Sequence, residues 1–314
     1  MSSAFAMSET EGHNGPSVQS HASAGALKIE ALSNRNEDEV LAFFARRSLQ
    51  TVFMAGLIRD NGLVSFSNRG TFFGCRDQKG LLEGVALIGQ KTLVDTISTP
   101  ALQTLGRLVT ENRTAHLIRG EQHQIELLLE YYAASGRQPR LLCGEILMEQ
   151  VAPARGVEPE PNLRLATGDD LAVVTSINAA MAMEETGINP MTRDPQGMLE
   201  RTERRIDQGR VWVLTQNDRT VFKADVISDT PQVVFIEGVF VHWQERRKGH
   251  GLRCVTQLAR NLLTRTNSIC LVVNTENNRA RDFYEKAGFK FTSSYQTAYF
   301  AALSGAKDGT GSAD

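Results

Sequence analysis

The sequence is poor in cysteine, and its cysteines do not form pairs. Four thiols occur in 314 residues, far apart at Cys75, Cys143, Cys254 and Cys270. Neither a zinc site nor a redox pair is indicated, because the closely spaced pairs that such sites use are missing. The six histidines also lack the spacing of metal ligands. We therefore expect no metal, and we expect free, inert thiols in a reducing compartment.

Excess charge and long apolar runs are missing as well. Lys and Arg total 34 and Asp and Glu total 36, so the net charge is -2. This balance gives no electrostatic reason to expect nucleic acid or an acidic membrane as a partner. No segment approaches the ~18 apolar residues of a membrane-spanning helix, and no signal-peptide pattern occurs. These absences favour a cytoplasmic protein, and they do not predict its oligomeric state.

Composition divides the chain into two halves. Residues 1–26, rich in Ser, Gly and Ala, are predicted to be a disordered leader, and residues 304–314 a disordered tail. The stretch 151–161 reads VAPARGVEPEP, and its three prolines without apolar periodicity predict a linker. We therefore predict domains at 27–150 and 162–303, in agreement with a prior of ~100–200 residues per domain.

Apolar periodicity predicts the same order of elements in both halves, β-α-α-β-β-β-α-β-α-β. In the first half, strands are expected at 27–32, 71–76, 82–88, 92–96, 115–119 and 140–148, and helices at 37–46, 51–60, 101–112 and 121–134. In the second half, strands are expected at 163–166, 210–215, 220–227, 233–243, 268–274 and 289–301, and helices at 169–183, 194–208, 249–263 and 278–287. The pattern therefore predicts two copies of one α/β arrangement, although the two halves show no repeat in residue identity.

The most informative segment is 238–251, GVFVHWQERRKGHG, in which a strand leads through a basic turn into a helix. The unpaired N–H groups at the start of that helix, together with its dipole, favour a bound pyrophosphate. The Walker pattern is absent, and a dinucleotide fingerprint fails because Cys254 stands at its third glycine position. The pattern R-x-x-G-x-G is satisfied at Arg246, Gly249 and Gly251.

This segment resembles the GNAT (Gcn5-related N-acetyltransferase) superfamily. The family pattern V-x-V-x-P-x-x-R-G-K-G-x-G is matched at Val239, Val241, Arg246, Lys248, Gly249 and Gly251. Trp243 replaces the common proline, and Arg247 replaces a common glycine. A second family block, N-x-x-A-x-x-x-Y-x-x-x-G-F, is matched at Asn277, Ala280, Tyr284, Gly288 and Phe289. A closer resemblance, at 184–190, 222–224 and 271–274, is to bacterial GNAT proteins with an extra N-terminal domain.

The resemblance implies a mixed-sheet α/β fold over 162–303, with acetyl-CoA as the co-substrate. It implies that the cofactor is bound by Val239, Phe240, Val241, Arg246, Arg247, Lys248, Gly249, His250, Gly251, Asn274, Asn277 and Ala280. For Asn277, capping of the following helix is an equally good interpretation.

The resemblance also implies the catalytic groups. Tyr284 corresponds to the tyrosine that protonates the departing CoA thiolate, and Glu237 is a candidate general base. Glu184 and Glu185, predicted in the turn between the first two helices of this half, are candidates for binding the acceptor. Each of these residues has a purely structural alternative: a packing tyrosine, an exposed strand carboxylate, and a solvated helix end. Lys223 is predicted to be a charge at a strand edge.

The first half has no equivalent basic turn. Its corresponding segment, residues 97–100, reads ISTP and offers neither glycine nor a basic residue. We therefore predict a non-catalytic first domain and direct acetyl transfer by the second to a primary amine of a small molecule or peptide. The alternatives are a non-catalytic acetyl-CoA sensor and a transferase that uses another acyl-CoA.

Overall fold

The computed structural model describes residues 26–111 and 115–301. The predicted leader, apart from Ala26, and the predicted tail lie outside the described residues. The first half contains β1 (Lys28–Ala31), α1 (Glu37–Ala45), α2 (Ser48–Asn61), β2 (Gly70–Arg76), β3 (Leu82–Gly89), β4 (Lys91–Thr96), α3 (Thr99–Glu111), β5 (Leu117–Glu121), α4 (Gln122–Ala134) and β6 (Leu141–Gln150).

The second half contains β7 (Arg164–Leu165), α5 (Leu171–Thr186), α6 (Pro190–Arg193), α7 (Pro195–Asp207), β8 (Val211–Gln216), β9 (Arg219–Asp229), β10 (Val233–Val241), α8 (His250–Leu262), β11 (Ser268–Asn274), α9 (Asn278–Lys286) and β12 (Lys290–Tyr299). The predicted order is present in both halves. The short helix α6 was not predicted; Asn189 caps it and Pro190 starts it, which is the residue pair that favours a helix start.

The twelve strands of the described residues form one mixed sheet in the order β1-β2-β3-β4-β5-β12-β6-β11-β10-β9-β8-β7. The two halves exchange their last strands within this sheet. Strand β12 lies between β5 and β6, with Tyr295 opposite Glu121 and Glu145, and β6 lies between β12 and β11. The α/β mixed-sheet class is confirmed, whereas the division at 151–161 stays a prediction, since the halves share a sheet.

The predicted linker has no regular secondary structure, and it packs against α8. Glu160 is buried, and its Oε2 lies 3.3 Å from Nε of Arg253. Arg260 donates a hydrogen bond to the backbone carbonyl of Val157. Both arginines lie on α8, so segment 151–161 is bound to the helix that follows the basic turn.

The two halves also share an apolar core. Helix α2 packs across β9 and β10 of the second half. Beneath it, Val52 of α2 joins Leu147 of β6, Phe235 of β10, Cys270 of β11 and Tyr295 of β12 in one buried cluster. This packing fixes the position of β10 relative to the first half.

The four cysteines are free; Cys75, Cys254 and Cys270 are buried, and Cys143 is partly exposed. Among the described residues, no helix is both long enough and apolar enough to cross a membrane.

Candidate functional site

Strands β10 and β11 separate shortly after they begin to pair. They run parallel, and their register covers only three pairs, ending at Phe235 opposite Cys270. Both strands continue beyond this point, to Val241 and Asn274. The edge of β10 from Ile236 onward therefore faces an opening, where its backbone groups can pair with an extended ligand as with another strand.

A bulge lies in β10 at this opening. The register with β9 passes from Glu237 directly to Phe240, which leaves Gly238 and Val239 without opposite residues. Gly238 has φ of 61°, and a Cβ atom there would lie 2.6 Å from the Lys223 ammonium. Only glycine fits this conformation and this close approach. A bulge of this kind interrupts the hydrogen-bond ladder with β9.

The Lys223 ammonium is fully buried beneath the bulge, so the prediction of a strand-edge charge is wrong. Its Nζ lies 2.7 Å from Oδ2 of Asp225 and also donates to the side chain of Asn178. Arg205 binds the same carboxylate at 2.9 Å. Burial lowers the pKa of Lys223, and the charge of Asp225 opposes this. Strand β9 is interior because β8 and β10 flank it, which its own sequence does not reveal.

The basic turn lies where the sequence placed it, between β10 and α8. Gly249 is the residue before the first turn of α8, with φ of 85° and no side chain to cap the helix. The first N–H groups of α8 are therefore available to an anion. Gly251 is buried, and a Cβ atom there would lie 3.0 Å from Val241, so the helix approaches β10 closely.

Some of the charged side chains around the turn already have partners. Arg246, Arg247, Lys248 and Gly249 are exposed, and His250 is half-buried. Lys248 Nζ lies 2.9 Å from Oε2 of Glu245, and this contact lowers the pKa of Glu245. Arg246 donates to the carbonyl of Val241, which closes the turn onto the strand. Glu245 was not predicted; its carboxylate pairs with Lys248 and would compete with a bound anion for it.

Tyr284 lies on α9 and packs against the core of the second half. Its ring contacts those of Phe283 and Phe289, at centroid distances of 5.1 and 5.7 Å. Burial raises the pKa of Tyr284, so its phenol is neutral near pH 7. Its role toward a ligand stays a prediction.

Glu237 stands two residues beyond the last β10–β11 pair and forms an ion pair with the first half. Its Oε1 lies 2.9 Å from NH1 of Arg119 on β5, and Arg119 also binds Glu145 of β6 at 2.7 Å. Burial would raise the pKa of Glu237, but the charges of Arg119 and Lys91 outweigh it and lower the pKa. The carboxylate is therefore ionised but less basic than an isolated glutamate.

The structure corrects the position of Glu184 and Glu185. Both lie in the last turn of α5 rather than in the connection after it, because the helix extends to Thr186. Both are exposed, and Glu185 accepts a hydrogen bond of 2.9 Å from Tyr299 on β12. Their predicted role at the acceptor stays a prediction.

Asn274 and Asn277 organise the turn between β11 and α9. The side-chain oxygen of Asn274 accepts from the N–H of Glu276, and that of Asn277 accepts from the N–H of Ala280. Asn277 therefore caps α9, and Ala280 packs against the core. Their roles toward a cofactor stay predictions. Within the described ranges, no group of three or more His, Cys, Asp and Glu residues could hold a metal ion.

Sequence reasoning missed Arg119 and Asp225. Lys223 and Asp225 are two residues apart on one strand and so share a face, a signal that predicts contact once the strand is known to be interior. Arg119 carries no such signal, because its partner Glu237 lies on a distant strand.

Comparison with known proteins bears on the family and the fold. The model of the FR47-like protein family matches residues 224–299, which include β10, the basic turn, α8 and α9. No curated protein sequence matches the chain.

Three solved structures resemble the chain over most of its length. A Drosophila protein has 12% identity and a TM-score of 0.65, and the alignment covers 88% of this chain and 99% of that one. A tandem GNAT protein from the clavulanic acid biosynthesis pathway has 12% identity and a TM-score of 0.55, covering 89% and 100%. A GCN5-related N-acetyltransferase from Sphaerobacter thermophilus has 14% identity and a TM-score of 0.54, covering 87% and 94%. At such identities the similarity concerns the fold, and together with the family match it confirms the resemblance: the chain has the fold of the GNAT superfamily, in the tandem form.

Proposed function

We propose that the protein is an N-acetyltransferase that transfers an acetyl group from acetyl-CoA to a primary amine. The observation that carries the proposal is the opening between β10 and β11, which leads to the uncapped N-terminus of α8 at Gly249. The open edge of β10 at Val239, Phe240 and Val241 suits an amide-containing arm. The turn from Arg246 to Gly251, with the N–H groups of His250 and Gly251, suits a pyrophosphate. The side-chain amides of Asn274 and Asn277 and the surface near Ala280 would border the arm.

Acetyl-CoA would supply the acyl group already activated as a thioester. The amine nitrogen bonds to the carbonyl carbon, and the carbon–sulfur bond then breaks. The N–H of Val239 at the bulge would stabilise the oxyanion between these steps. Tyr284 would donate its proton to the departing thiolate.

Glu237 is the proposed acceptor of the proton that the amine loses, directly or through a water molecule. Its ion pair with Arg119 lowers its basicity, so its contribution is expected to be smaller than that of an unpaired carboxylate. Glu184 and Glu185 are proposed to attract the acceptor ammonium. The acceptor class is a small-molecule or peptide amine, and the proposed location is the cytoplasm.

A second candidate is a non-catalytic acetyl-CoA-binding module. The ion pair between Glu237 and Arg119 favours it, because a sensor needs no base. Release of CoA in the presence of a panel of primary amines distinguishes the two candidates, since a sensor releases none above the hydrolysis background. The same assay with butyryl-CoA tests whether a longer acyl group is preferred.

The binding site is tested by calorimetry with acetyl-CoA on the full chain. Gly249→Glu is expected to weaken binding at least about tenfold, because a carboxylate would occupy the phosphate position. Gly136→Glu is the matched control: Gly136 has φ of 78°, similar to that of Gly249, and open space around its Cβ position. Equal affinities for the two variants would contradict the assignment.

A further inference from the structure

A cavity of about 60 Å³ lies between α2 and the sheet, where β4 and β5 separate. These strands also pair over only three residues, ending at Leu93 opposite Arg119. The volume is several times the ~10–15 Å³ that one buried water needs. Both halves contribute to its walls, with Val52 and Phe53 from the first and Phe235, Val272 and Tyr295 from the second.

Two buried acceptor atoms in the cavity wall have no partner. Asp95 is 3% exposed and Gln124 is 2% exposed. Among the described residues, no hydrogen-bond donor reaches Oδ2 of Asp95 or Oε1 of Gln124. Buried polar atoms are nearly always hydrogen-bonded, so these two indicate a ligand or solvent with donor groups.

The charge at this end of the cavity is negative. Asp95 Oδ1 lies 3.0 Å from NH1 of Arg47, and Arg47 also binds Glu121, so one guanidinium serves two carboxylates. At the other end, Arg119 is balanced by Glu145 and Glu237, and Lys91 adds a positive charge. A cation is therefore favoured beside Asp95 and disfavoured beside Arg119.

We propose that this cavity is a second ligand site that binds a small primary ammonium with an apolar body of one or two carbons, which a volume of about 60 Å³ can hold. The ammonium donates to Oδ2 of Asp95 and Oε1 of Gln124, and the apolar body packs against Val52, Phe235 and Val272. A primary ammonium carries three donors and no acceptor, which matches two unpaired acceptor oxygens. The ammonium-binding atoms lie in the first half, the apolar wall comes from both halves, and the site does not depend on acyl transfer by the second.

The pH dependence follows from the same carboxylate. Burial raises the pKa of Asp95 to about 6, with the charge of Arg47 opposing the shift and that of Glu121 adding to it. Below pH 6 the carboxyl group takes up a proton and no longer attracts a cation. Ammonium binding is therefore expected to weaken as the pH falls from 7 to 5.

Calorimetry of the full chain with ethylammonium chloride, and with the neutral ethanol, tests the proposal. We expect saturable binding of the ammonium, at least about tenfold tighter than that of the alcohol. Asp95→Asn should weaken ammonium binding at least about tenfold, and Gln124→Leu by a smaller factor. Asp38→Asn, which removes an exposed carboxylate on α1, should leave it unchanged.

Three results with the wild type and Asp95→Asn would overturn the proposal. They are no binding by the wild type at 10 mM ammonium, equal binding of alcohol and ammonium, and unchanged binding by a folded Asp95→Asn variant. The first of these would mean that the cavity holds solvent only. Because Asp95→Asn preserves the shape of the side chain, melting curves should confirm that the variant is folded. Val272→Phe, which fills the cavity from the second half, should also abolish binding, and retained binding would place the ligand elsewhere.

Discussion

In each half of the molecule two parallel strands separate in the same way, but the turn that follows the separation differs between the halves. In each, the two central parallel strands pair over three residues and then separate. After β10 the chain forms a basic turn that ends at Gly249, which has no side chain to cap α8. After β4 it reaches α3 within two residues, and Ser98 Oγ accepts the N–H of Ala101 there. Pro100 has no N–H to offer an anion. The proposed phosphate site therefore depends on the turn and not on the sheet.

Each opening also holds a carboxylate at the same position. Asp95 and Glu237 both stand two residues beyond the last paired residue of their strand, and each pairs with an arginine. Arg47, the partner of Asp95, belongs to the same half. Arg119, the partner of Glu237, belongs to the other half. The second opening is therefore electrostatically coupled to the first half, whereas the carboxylate of the first opening pairs within its own half.

The largest expected effect comes from breaking that coupling with Arg119→Met. Removal of the guanidinium leaves the buried Glu145 and the half-buried Glu237 without their cation. Loss of one partner of a buried pair typically costs about 3–5 kcal/mol. We expect a decrease of about 3 kcal/mol in the free energy of unfolding, measured by urea denaturation. Arg265→Met removes a surface pair with Asp229 and should cost less than about 1 kcal/mol; similar losses for both would show that Arg119 is no more than a surface charge.

The next effect tests chemistry that only the second half should have. Tyr284→Phe removes one hydroxyl, while the ring can still pack against Phe283 and Phe289. General acid catalysis is typically worth about 100- to 10,000-fold, and water can replace part of it, so we expect kcat to fall at least about tenfold. Acetyl-CoA affinity should be nearly unchanged. Full turnover by the variant in the chemical step would assign Tyr284 to packing alone.

A smaller effect concerns Asp95 and pH. Its folded pKa of about 6 lies above the ordinary 3.8, so the protonated form stabilises the fold fully below about pH 4, and this stabilisation is lost as the pH rises through 6. Asp95→Asn cannot ionise and should therefore be more stable than the wild type at pH 8, by up to about 2 kcal/mol. The difference should shrink toward zero near pH 4. Urea denaturation at pH 4 and pH 8 measures this difference in stability. A difference that does not change with pH would refute the raised pKa of Asp95.

The smallest effect concerns the basic turn. Glu245→Gln frees Lys248 from an ion pair that a bound phosphate would have to disrupt. We expect acetyl-CoA to bind about two- to fivefold more tightly, since exposed ion pairs of this kind are weak. Glu285→Gln, an exposed change on α9, is the control for the altered net charge. Weaker binding by Glu245→Gln would show that the carboxylate supports the turn instead.

Local sequence predicted local structure well, and it failed where distant segments meet. The strand, turn and helix around Gly249 were predicted because their signals lie within a few residues of one another. The contact between Arg119 and Glu237 was not predicted, since it requires knowledge of how β12, β6 and β11 lie between their strands. Lys223 was misjudged for the same reason: the neighbours of a strand decide whether it is an edge or an interior strand.

The exchange of β6 and β12 has a consequence for how the chain reaches this structure. While the first half is being synthesised, the edge of β5 that will pair with β12 has no partner, because β12 is almost the last described segment to emerge. An unpaired strand edge can associate with other chains. Pairings between such distant segments also slow folding, because a long loop must close first. We therefore expect the two halves to fold as one late, cooperative unit in which neither half is complete before the whole chain is available.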